Sequence, residues 1–198
     1  MTKKLVTYSL LAATLWCGSA IAQDTNTEAP AETQGAGEGL DLGEAGPRVG
    51  APYTKEKFGE WDFSCIKTNT GNDPCALVQL LNGPDGEPIA EITIARLPEG
   101  RPAVAWANVI VPLETLLTAQ LSLSIDGAPG KRYVYHHCTT VGCMARIGLT
   151  QGDVDAMKAG TNAALSLVPA PYPEEVLTMN MSLGGFTAGY DALVIPQN

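Results

Sequence analysis

Four cysteines and two histidines are the side chains in this sequence best equipped for chemistry: Cys65, Cys75, Cys138 and Cys143, with His136 and His137 directly before the third. Imidazole nitrogen and sulfur suit borderline and soft metals, and Met179 and Met181 add thioethers that suit Cu(I) in an oxidising compartment. Three arguments oppose a metal centre. Oxidised cysteines do not ligate as thiolates. Adjacent strand residues point to opposite faces, which separates His136 from His137. Met179 and Met181 share parity with Leu177 and Leu183, so all four are expected to point inward from one strand. The expectation is no cofactor and no metal ligand.

Other chemistries find even less support. A redox enzyme needs a reactive, low-pKa thiol, and a Cys-x-x-Cys pair near a helix start is absent. A serine hydrolase needs one of the chain's 2 histidines as base and a nucleophile on a sharp turn, yet no Gly-x-Ser-x-Gly occurs. A glycosidase needs two carboxylates, and nothing singles out a pair among the 21 acidic residues; Asp126 and Glu114 read as turn or surface residues. No catalytic residue is therefore assigned, and the protein is expected to bind rather than catalyse. An unrecognised hydrolase or a metal-handling protein is the alternative.

The cysteines are better explained by compartment. Residues 1–22 have the parts of a secretory leader: Lys3 and Lys4, an apolar run from Leu5 to Trp16, and Ala20-Ile21-Ala22 before Gln23, which predicts cleavage after Ala22. Cys17 lies inside this leader; Trp16 argues against lipoprotein processing, which wants a small residue there. The apolar run is short of the ~20 residues that span a bilayer, and no transmembrane segment is expected in the mature chain. Four cysteines remain behind the leader, an even count that reads as a disulfide framework. They permit three pairings. Cys65 with Cys75 and Cys138 with Cys143 are favoured because both close locally, and closing a loop of roughly ten residues stabilises by about 2–3 kcal/mol.

Loss of the leader removes two lysines and no acid, moving the formal net charge from -9 to -11. Such a surface repels nucleic acid and anionic membranes at long range. Lys131-Arg132 is too isolated to form a phosphate site.

These residues need a scaffold. Residues 23–50 scatter Asp24, Glu28, Glu32, Glu38, Asp41 and Glu44 among Gly, Ala, Pro and Thr, a composition that cannot offset its ordering entropy and is expected to be a disordered acidic linker. Residues 51–198 are enough for one domain with a single core. Within it the dominant period is two. Leu121, Leu123 and Ile125 alternate with Ser122 and Ser124, and Trp61, Phe63 and Cys65 alternate with Asp62 and Ser64. Further strands are expected near 75–81, 88–97, 103–111, 132–138, 143–149, 163–168 and 175–183, punctuated by turns such as Gly83-Pro84-Asp85-Gly86. One short helix is predicted, with Thr150 as cap, Asp153 answering it, and Gly160 ending it in a left-handed conformation. The fold class is all-β, a two-sheet sandwich of about eight or nine strands.

Four ordered segments resemble the invasion-associated locus B family: Gly59 to Cys65 (GEWDFSC), Cys138 to Ala145 (CTTVGCMA), Lys158-Ala159-Gly160, and Ser182 to Ala188 (SLGGFTA). The resemblance covers the chain from about Phe58 to Leu193 and leaves out the acidic linker. It implies an immunoglobulin-like β-sandwich exported to the periplasm or outer envelope of a Gram-negative bacterium. It also implies an envelope or host protein as partner, and it supplies no catalytic motif. Two aromatic sites remain to be placed. Trp106 lies in Ala103 to Val111, a run apolar on both faces, and is expected in a central strand packed on each side. Phe186 and Tyr190, beside Gly184-Gly185, are the candidate exposed patch for a ligand or partner.

Overall fold

The computed structural model describes residues 46–195; the expected leader 1–22 with Cys17, and residues 23–45 of the expected acidic linker, lie outside the described residues. The linker's last residues are already tied down. The Gly50 amide donates to the Lys67 carbonyl at 2.8 Å, and the Lys67 amide returns a bond to Ala51 at 3.0 Å.

From Pro52 onward strands dominate, arranged in two sheets. The large sheet is antiparallel and runs β1 (Pro52–Phe58), β2 (Trp61–Ile66), β3 (Cys75–Asn82), β4 (Pro88–Arg96), β5 (Ala105–Val111), β9 (Gly142–Leu149), β8 (Tyr135–Thr139) across its width. The small sheet runs β11 (Leu177–Ser182), β10 (Asn162–Leu167), β6 (Leu121–Ile125), β7 (Lys131–Tyr133). This is the expected all-β, two-sheet architecture. It has two more strands than the upper estimate. β1 was not expected, and the single strand expected at 132–138 divides at Val134 into β7 and β8, which serve different sheets.

Period-two alternation builds the core. Trp61, Phe63 and Cys65 from β2, Ile92 and Ile94 from β4, and Ala105, Ala107, Val109 and Val111 from β5 point inward from the large sheet. They meet Leu121, Leu123, Ala163, Leu165, Met179 and Met181 of the small sheet. Met179 and Met181 are fully buried, as their parity predicted.

A polar clamp sits within this core. Gln79 points inward and is 4% exposed; its amide donates to the Ser182 carbonyl at 3.1 Å and accepts from the Ser182 amide at 3.0 Å. A glutamine side chain thus supplies the paired bonds that a neighbouring strand would give to β11, the edge of the small sheet.

The predicted helix is present as α1 (Gln151–Ala159), with Thr150 and Asp153 forming a reciprocal capping box. Its end differs from expectation. Gly160 has φ -81 and is extended, not left-handed. Glycine fits there for space, because a Cβ would lie 2.9 Å from Leu183 Cδ1 and 3.0 Å from the Ala156 carbonyl oxygen. A second helix, α2 (Phe186–Ala192), follows β11 and was not expected.

Candidate functional site on the outer face of the large sheet

Three of the four segments carrying the family resemblance converge on α2. The β1–β2 turn meets the Gly184-Gly185 turn so closely that a Cβ on Gly59 would lie 2.3 Å from the Gly184 carbonyl oxygen, and one on Gly185 2.2 Å from that of Phe58. The Trp61 indole N–H donates to the Ser182 carbonyl at 2.9 Å, and its ring lies 5.4 Å from that of Phe186. Lys158 pairs with Asp191 and sits 5.1 Å above the Tyr190 ring, with Arg96 5.4 Å from the same ring.

This geometry corrects the aromatic patch. Phe186 is fully buried and Tyr190 is 4% exposed, so they do not form an exposed site. Spaced one helical turn apart on α2, both rings turn into the sandwich, their centroids 5.5 Å apart, and close its end. Burial pushes the Tyr190 phenol upward against the pull of Arg96 and Lys158. Gly184-Gly185 is a point of close backbone approach rather than a free hinge.

The outer face holds what the core does not. Trp106 is half-buried there, contrary to the expectation of a strand covered on both sides. β5 alternates strictly, with Trp106, Asn108 and Ile110 outward. The residues paired with Trp106 are Ala95 on β4 and Gly148 on β9, both too small to cover an indole. Beside them lies a groove of about 970 Å³ whose apolar floor includes Trp106, Val78, Ala76 and Ile66. Sequence reasoning missed this because the flanking residues become visible only with the register.

The groove's wall is set by Asp73, inside the loop closed by the Cys65–Cys75 disulfide. Asp73 accepts from the Tyr53 hydroxyl (2.7 Å), the Thr68 amide (2.7 Å), the Thr68 hydroxyl (2.9 Å) and Lys67 Nζ (3.3 Å). The Tyr53 bond first, then the Thr68 amide, holds its carboxyl far below the usual carboxylate range. Because the folded-state value lies below the unfolded one, this contribution to stability is complete above about pH 3.9 and is lost as pH falls through the folded value. The gap in unfolding temperature between the wild type and Asp73→Asn should therefore stay constant from about pH 7 to about pH 5 and shrink below about pH 3.9. A gap that is unchanged at lower pH would show that the carboxyl stabilises the loop without its charge, and no gap at any pH would assign the loop's order to the disulfide alone.

The second disulfide joins Cys138 to Cys143 across the β8–β9 hairpin, so both favoured pairings are present. Beside it the register slips: Tyr135 pairs with Ala145, His137 pairs with Met144, and His136 is the extra residue of a β-bulge. The bulge overturns the argument that adjacent histidines face apart. Nδ1 of His136 lies 2.8 Å from Nδ1 of His137, and both rings are exposed. Tyr135, by contrast, points inward; its hydroxyl is buried with no partner among the described residues, and burial pushes it up to about 12. The two carboxylates weighed as catalytic candidates are turn residues: Asp126 accepts from the Thr161 and Asn162 amides, and Glu114 adopts φ 65. No helix among the described residues is long and apolar enough to cross a membrane.

Comparison with known proteins agrees with this architecture. The crystal structure of invasion associated protein B from Bartonella henselae superposes with a TM-score of 0.57, covering 67% of this chain and 89% of that one at 21% identity, a likeness of fold. Two proteins named invasion protein B homolog, from Brucella abortus strain 2308 and from Brucella abortus biovar 1 strain 9-941, are each 25% identical over 144 residues. Each alignment covers 73% of this chain and 81% of the relative. The family model for the invasion associated locus B (IalB) protein matches residues 61–194, from Trp61 on β2 to just past α2 and so nearly the whole sandwich, and the chain belongs to that family.

Proposed function

We propose that this protein is a non-catalytic binding module exported to the periplasm or outer envelope with cleavage after Ala22, and that it holds an extended segment of an envelope or host protein in the outer-face groove. The observation that carries this reading is the half-buried Trp106 indole on the outer face between Ala95 and Gly148. Tryptophan in an apolar groove floor is a residue type enriched among the hot spots that carry binding energy at protein interfaces. The groove's strongly shifted acid supports binding over catalysis: Asp73 is held ionised by four hydrogen bonds, one from Tyr53 on β1 and three from Lys67 and Thr68 of its own loop, which makes it a poor proton donor or acceptor near neutral pH. Two disulfides in a small domain suit an oxidising compartment.

The test is retention of solubilised envelope proteins on immobilised mature protein. The wild type should hold a discrete partner, and Trp106→Ala should weaken that binding by about 30-fold, the scale of a tryptophan hot spot, while remaining fully folded at the temperature of the assay. Equal retention by Trp106→Ala rejects the groove as the interface.

A further inference from the structure

We propose that His136, His137 and Met144 on the β8–β9 hairpin form a binding site for one Cu(I) ion. This goes beyond the groove reading and does not depend on it. Met144 lies four residues from Gly148, Trp106's neighbour, or about 13 Å along β9.

Three observations converge on the hairpin. The chain has 2 histidines in all, and the bulge brings both to one face with Nδ1 atoms 2.8 Å apart. Two nitrogens at that separation can each lie about 2.0 Å from one ion with a roughly right-angled bite, and a small rotation of the exposed rings opens it. Met144 pairs directly with His137 across the ladder, and side chains of such a pair share a face with Cβ atoms about 5 Å apart. Met144 is also the one methionine among the described residues outside the core; Met157, Met179 and Met181 are at most 1% exposed.

The donor set selects the metal. Two imidazoles and a thioether match the soft, low-coordinate preference of Cu(I). Zinc takes four nitrogen, sulfur or carboxylate donors, and among the described residues no three His, Cys, Asp or Glu gather to hold an ion. The next pair in the ladder is Cys138–Cys143, whose disulfide locks the hairpin beside the bulge and fixes the ligands before the ion arrives. In the free protein one ring donates its Nδ1 proton to the other. On binding, that proton moves to the Nε2 of its own ring, so both neutral rings offer an Nδ1 lone pair and no oxidation state changes.

The experiment is a titration of the mature protein, disulfides intact, with Cu(I) in ascorbate against a chromophoric chelator, repeated with Ni(II). Loss of even a supporting group at a metal site weakens affinity by about 10–100-fold, so His136→Ala and His137→Ala should each bind Cu(I) at least about 30-fold more weakly. Met144→Leu, which conserves volume, should lose at least about 10-fold for Cu(I) and leave Ni(II) binding unchanged, since nickel takes the imidazoles alone. X-ray absorption should show one sulfur at the bound copper that vanishes in Met144→Leu. The proposal is overturned if Met144→Leu binds Cu(I) like the wild type, if either single histidine suffices, or if more than one ion binds with similar affinity in all variants.

Discussion

Trp61→Ala should lower the free energy of unfolding by about 3–5 kcal/mol, the range for emptying a buried aromatic site. Trp61 is fully buried, and its ring is the surface on which Phe186 packs. Its loss opens a cavity between β2 and α2 that neighbours cannot fill, because the Gly59–Gly184 contact holds the backbones on either side. The Ser182 carbonyl loses its indole donor and keeps its bond from Gln79, so the deficit is mainly packing. Urea unfolding of the oxidised protein measures it, and a loss below about 1 kcal/mol would show that α2 contributes little to the cooperative core.

The second large effect needs only a methyl group. Gly185 has φ 86, and its added Cβ would meet the Phe58 carbonyl carbon at 2.4 Å and the Gly59 nitrogen at 2.8 Å, all backbone atoms unable to rotate aside. Gly185→Ala should cost about 2–5 kcal/mol, combining left-handed strain with overpacking. Gly184→Ala is the control: its φ is ordinary and its nearest contact is the Ser182 hydroxyl at 3.3 Å, so its cost should stay below about 1 kcal/mol. Equal stability of the two variants would mean that the turns approach less closely in solution. Trp61→Ala and Gly185→Ala act on the same contact, so their combined effect should fall short of additive.

The contrast between these glycines and the rest of the chain shows what sequence reasoning reaches. Alternation made β2, β6 and the inward methionines legible, because a half-buried strand repeats every two residues whatever its partner. The α1 cap was legible because Thr150 and Asp153 act within one turn. β1 was not: Lys55, Glu56 and Lys57 show no apolar period, and a bulge between Thr54 and Glu56 breaks its register. α2 was hidden by Gly189 and Thr187, poor helix formers overridden by tertiary packing of Phe186 and Tyr190. Trp106 and the histidines share one cause of failure. Which face a side chain occupies depends on register and bulges, and both are set by partners distant in sequence.

Each disulfide joins cysteines consecutive in the described chain, Cys65 to Cys75 and Cys138 to Cys143, across neighbouring strands. On the export proposed above, a mature chain emerging N-terminus first offers Cys75 to Cys65 before Cys138 or Cys143 arrives, and once those two are joined Cys138 has only Cys143 to meet. Random oxidation of four thiols would give two mispairings for each correct one. Ordered emergence would remove that competition, and the expected result is a yield that needs an oxidant and is insensitive to loss of a disulfide isomerase.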